Sequence, residues 1–99
     1  MNVIYHVTTV AEWEKALQDG YYQAPSLETE GFIHCSKAEQ VQGVLDRYFK
    51  GKTSLIKLTI DTAKLTKRLA FDYSESLKET FPHIYGTINI DAVINVENI

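Results

Sequence analysis

EGFIHCSKAEQVQGV, residues 30 to 44, sets one of the chain's three histidines beside its single cysteine. Phe32, Ile33 and Cys35 favour extended structure, so residues 32–35 read as a strand. Ser36, with Glu39 three positions on, has the spacing of a capping box, in which two side chains serve the free N–H groups of a helix start. Val41, Val44, Leu45, Tyr48 and Phe49 then fall at i, i+3, i+4, i+7 and i+8. That spacing makes one apolar helix face, and Gly51 ends the helix. Because side chains alternate along a strand, Cys35 points with Ile33 toward the core, while His34 shares the other face with Phe32 and Ser36.

The N-terminus repeats the pattern. Residues 3–8 predict a strand with Val3, Tyr5 and Val7 on one face and Ile4, His6 and Thr8 on the other. Thr9 and Glu12 form a second capping box, Val10, Trp13, Ala16 and Leu17 an apolar stripe, and Gly20 a stop. Each strand-to-helix junction therefore carries a histidine just before the cap, where free N–H groups and the positive end of the helix dipole favour an anion such as phosphate. Residues 21–24 read as a short strand, ended by Pro25 and a polar turn over 26–31. From Ser54 onward the strand candidates are 55–60, 69–73, 84–90 and 93–96, with one helical turn at 61–65. Two main helices in the N-terminal half and strands in the second half predict an α+β fold with mixed or antiparallel sheets, in one domain over residues 1–99.

Composition narrows the function classes. At 44% hydrophobic and 23% charged residues the chain reads as an ordinary globular domain. A formal charge of −3 offers no general field for nucleic acid, and Lys64, Lys67 and Arg68, the densest basic cluster, fit a solvated turn. The longest apolar run is far shorter than the roughly 20 residues of a membrane-spanning helix, so no membrane partner is expected. One cysteine forms no internal disulfide, and the N-terminus runs into a strand pattern without a basic leader, which points to the cytoplasm.

The third histidine lies in Phe81-Pro82-His83-Ile84-Tyr85-Gly86. Neutral imidazole accepts or gives a proton near pH 7, and few other side chains here do. The expectation is a single cleft in which His6, His34 and His83 carry chemistry and Thr8, Ser36, Tyr85 and Gly86 contact the ligand. A lone histidine is more often a hydrogen-bonded structural residue than a catalyst; three at related positions weaken that reading. With no His-x-x-x-His or Cys-x-x-Cys pair, no metal ligands are assigned, and metal-assisted hydrolysis would need a zinc site assembled from distant histidines. Isolated glycines rule out a dinucleotide or phosphate-loop motif of the usual kind. A non-catalytic binding or regulatory module, presenting Trp13, Tyr21, Tyr22 and Tyr48, is the other alternative.

Taken together, Tyr5-His6-Val7-Thr8-Thr9, Ala24-Pro25-Ser26-Leu27, Gly31-Phe32-Ile33-His34-Cys35-Ser36, Arg47-Tyr48-Phe49 and Phe81-Pro82-His83-Ile84-Tyr85-Gly86 resemble a family of small proteins defined as domain-of-unknown-function family 952. The resemblance covers nearly the whole chain. It implies a fold similar to the ADP-ribosyltransferase superfamily, which splits NAD in a cleft between two small sheets. Within that superfamily the histidine strand at Tyr5-His6-Val7-Thr8 and the His34-Cys35-Ser36 segment are similar to those of tRNA 2'-phosphotransferases. The likeness implies NAD as a substrate, His6 holding the nicotinamide ribose, and His34 and Ser36 facing phosphate or ribose. It carries over neither the phosphate-holding arginines nor a late catalytic glutamate, since Arg47, Arg68, Asp91 and Glu97 lie outside matching motifs.

Overall fold

The computed structural model describes residues 2–99; Met1, the first position of the expected domain, lies outside them. Strand β1 (Val3–Thr9) leads into helix α1 (Val10–Asp19), short strand β2 (Tyr21–Tyr22), helix α2 (Pro25–Glu30) and short strand β3 (Ile33–His34). A 3₁₀ turn (Ala38–Gln40) opens helix α3 (Val41–Tyr48). The second half holds β4 (Leu55–Asp61), β5 (Arg68–Ser74), β6 (Glu79–Tyr85), β7 (Ile88–Asn89) and β8 (Val93–Asn98). The strands form three sheets, ordered β1-β4-β8, β2-β7 and β3-β6-β5, and every pairing is antiparallel. The fold is thus α+β, as expected, with the antiparallel option taken throughout. Both long helical connections lead to strands in other sheets, so neither links parallel neighbours.

Local chemistry explains most boundaries. Thr9 Oγ1 accepts the Glu12 N–H at 3.1 Å, and Gly20, in the left-handed region at φ 87°, closes α1 by donating to the Ala16 carbonyl. The second cap differs from expectation. Ser36 does not cap, because its backbone is held by Tyr5 in a two-bond bridge, Tyr5 N–H to Ser36 O at 2.8 Å and Ser36 N–H to Tyr5 O at 2.7 Å. The helix entry slides one residue on, and the Lys37 N–H donates to Gln40 Oε1 at 2.9 Å in place of the Ser36–Glu39 pair. The polar stretch after Ala24 is helix α2, not a turn, with Pro25 at its first position and Gly31 past its end. The strand expected at 84–90 breaks at Gly86: residues before it belong to β6, and β7 pairs with a different sheet.

The core takes Ile4, Leu58 and Ile60 from the first sheet, Tyr22 and Ile88 from the second, and Ile33 and Ile84 from the third. Each such side chain contributes about 1.5–3 kcal/mol through burial, which is how three sheets too small to stand alone make one body. The Tyr5–Ser36 bridge stitches the first sheet to the third. Among the described residues, no helix is long and apolar enough to cross a membrane.

Candidate functional site

The histidines are brought together by register. In the β3–β6 pair, Ile33 lies opposite Ile84 and His34 opposite His83. Alternation then sends the isoleucines into the core and the histidines to the other face, with ring centroids 5.1 Å apart, edge to face. The Tyr5–Ser36 bridge sets β1 beside this strand and aims the His6 ring at the His34 backbone, Nδ1 to carbonyl oxygen 2.6 Å. All three histidines line one cavity of about 680 Å³. Its far side includes Val44, Tyr48 and Phe49 of the third helix and the residue after it. The helix face expected to be buried in the core is only partly covered, because it looks into this cavity.

His6 is locked. A carbonyl only accepts, so Nδ1 carries the hydrogen, and Nε2 meets the Tyr22 hydroxyl at 2.8 Å. Burial lowers its pKa from 6.5 to about 4, partly offset by the bond to His34, so the ring is neutral at pH 7. Tyr22 reaches Thr8 Oγ1 at 2.9 Å, and Thr8 reaches Glu12 Oε1 at 3.3 Å. Two hydroxyl protons thus serve three contacts, and the last is the longest. Burial also pushes the Tyr22 hydroxyl well above its usual range. With both nitrogens engaged inside the protein, His6 is part of the wall's framework.

His83 is held differently. Its Nδ1 donates to Asp72 Oδ2 at 2.8 Å, and the Tyr85 hydroxyl donates to the same oxygen. These two bonds, Tyr85's first, hold the Asp72 carboxyl below its ordinary range. Register explains the cluster: Arg68, Ala70 and Asp72 lie opposite Tyr85, His83 and Phe81, so Asp72 is the diagonal neighbour of His83, and small Ala70 lets Tyr85 reach past it. Phe32 stacks on the His83 ring at 4.1 Å and 17°, and the Arg68 guanidinium lies 4.6 Å over the Tyr85 ring. No buried side-chain nitrogen or oxygen among the described residues lacks a partner, so His83 Nε2, which has no partner among them, is not fully buried, and the residue lines the cavity. His34 is exposed, with Nε2 3.1 Å from Glu30 Oε2.

Thr8 and Ser36 line the cavity with the histidines, whereas Tyr85 and Gly86 stand outside its lining. Tyr85 is turned to Asp72. The close neighbour at Gly86 is the Lys67 stem, 2.6 Å from where a Cβ would sit, so the glycine admits another side chain of this chain. Cys35 lies in the core cluster, where burial raises its thiol pKa far from the thiolate range. Among the described residues no group of three His, Cys, Asp or Glu side chains is placed to hold a metal ion. Sequence reasoning passed over Asp72, and placed Tyr22 on an interaction face and Glu12 in a helix cap, not beside His6. A carboxylate in a strand interior was the available signal for Asp72, but its partner depends on pairing register. Arg47 carries the one lysine or arginine charge among the described residues lining the cavity.

The protein CC0527 from Caulobacter crescentus is similar throughout. Its crystal structure matches with a TM-score of 0.89 at 28% identity, over 98% of this chain and 85% of that one. A crystal structure of its double mutant gives 0.88 at 26% identity, again over 98% and 85%. Its solution NMR structure gives 0.84 at 28%, over 100% of this chain and 85% of that one. None of the curated proteins matches the chain. Residues 7–96 match the family described as "Protein of unknown function (DUF952)", and the chain belongs to that family.

Proposed function

We propose that the cavity binds a nucleotide of the NAD or ADP-ribose type and that its histidine wall supports glycosyl or phosphoryl transfer. The observation that carries this reading is the convergence of three imidazoles from separate strands on one cavity of about 680 Å³, within the range of small-molecule sites. Ser36, Ser74 and Ser76 bring hydroxyls suited to ribose, and Arg47 a guanidinium suited to one phosphate. Tyr48 and Tyr73 line the cavity while staying 59% and 62% exposed, as rings that await a flat partner do. The resemblance of Tyr5-His6-Val7-Thr8 and His34-Cys35-Ser36 to segments of tRNA 2'-phosphotransferases favours the same ligand class. In this reading His34 and His83 face the ligand and His6, with both nitrogens occupied, supports the wall instead of holding the ribose. The NAD pool and the single buried thiol fit a cytoplasmic setting.

Isothermal titration with NAD, ADP-ribose and inorganic phosphate tests the reading. Saturable binding of NAD or ADP-ribose is expected, and Arg47→Ala should weaken it about tenfold, the value of one charge-assisted hydrogen bond. Heat-silent titrations with all three ligands would remove it.

A further inference from the structure

We infer that Asp72 and His83 form a proton-accepting pair, in which His83 Nε2 takes the proton of an acceptor hydroxyl, water or alcohol, as it attacks a ribosyl carbon in the cavity. The substrate class rests on the nucleotide reading above; the pair itself rests on geometry alone. Asp72 Oδ2 accepts from Nδ1, which fixes the tautomer with the hydrogen on Nδ1 and the lone pair on Nε2. Tyr85 holds the same carboxylate oxygen from the other side, and Phe32 holds the ring plane. The ring therefore has one nitrogen without a partner among the described residues, in a side chain that lines the cavity. His6 offers no such nitrogen, since both of its own are bonded within the protein. His34 keeps its ring exposed beside Glu30 and has no carboxylate on Nδ1.

The step balances. The acceptor's O–H bond breaks and its proton goes to Nε2; its oxygen bonds to ribose C1′; the C1′–N bond to nicotinamide breaks, and the electron pair neutralises the ring nitrogen. Asp72 and Tyr85 are positioning residues, since they act through His83 and touch no reacting atom.

The test is imidazole ¹⁵N NMR across the titration of His83, in the unaltered protein and in D72N, with nicotinamide release from NAD measured alongside. The unaltered protein should hold neutral His83 in the Nδ1–H form, and D72N should shift it toward Nε2–H. Nicotinamide release should fall in kcat by about 10²-fold in D72N, with KM little changed, and H83Q should fall at least as far. Thermal melts of both variants separate misfolding from lost chemistry, and Y85F, which keeps the ring, should give a smaller shift in the same direction. Neutral His83 in the Nε2–H form, a tautomer indifferent to D72N, or an unaltered protein that binds NAD and releases no nicotinamide would overturn the pair. A correct tautomer with no nucleotide binding would instead overturn the nucleotide reading and leave the pair's geometry standing.

Discussion

A histidine enclosed in its neutral form makes stability depend on acid. Unfolded, His6 takes a proton near 6.5; folded, it does so only near 4. Between those values the unfolded chain binds more protons, so His6's contribution is complete above the upper value and is lost as pH falls toward the lower one. The loss should reach up to about 3 kcal/mol. Urea unfolding at several pH values across this interval measures it, and His6→Gln should flatten the slope there while lowering stability at pH 7. Tyr22→Phe removes the hydroxyl that meets Nε2 and leaves a buried acceptor bare, which should cost about 1–3 kcal/mol in the same assay. Neither effect was open to sequence reading: His6 stands out as a residue type, but its partners come from positions 16 and 28 residues away.

At the level of elements, the first helix is legible at both ends, although Leu17 of the expected stripe stands 54% exposed and the Glu12 carboxylate meets Thr8 Oγ1 instead of closing the capping box. Thr9, the Val10, Trp13 and Ala16 stripe and Gly20 act locally, within one turn of where they stand. The second cap shows what local reasoning omits: Ser36 has the side chain for the task, but a long-range bridge takes its backbone. Helix α2 carried a readable signal, Pro25 at the front and Gly31 at the back, outweighed by the polar residues between them. Gly31 sits at φ 87° with open space around it, so Gly31→Ala should cost about 1 kcal/mol from backbone strain alone, measured by thermal or urea unfolding. The β5–β6 hairpin was the least legible element, since the Asp72–His83 contact exists only once Ala70 pairs with His83.

Across the whole molecule, three small antiparallel sheets meet over one core and leave one large cavity at their junction. The α+β class followed from the order of helical and extended patterns, whereas the division into three sheets depends on pairings that periodicity does not encode. Core and cavity share the β3–β6 pair, one face packing Ile33 and Ile84 and the other presenting His34 and His83. Ile84→Ala, at a site with no exposed surface, should therefore destabilise the fold by about 2–5 kcal/mol in urea unfolding. It should also weaken whatever the histidine face binds.

The most direct measurement is an ADP-ribose titration followed by amide and imidazole NMR shifts. A shared ligand site predicts saturable shifts at His34, His83, Ser36 and Arg47 with one dissociation constant, and little change along β8. Shifts that never saturate, or that gather on β8 and leave the histidine wall still, would contradict the account.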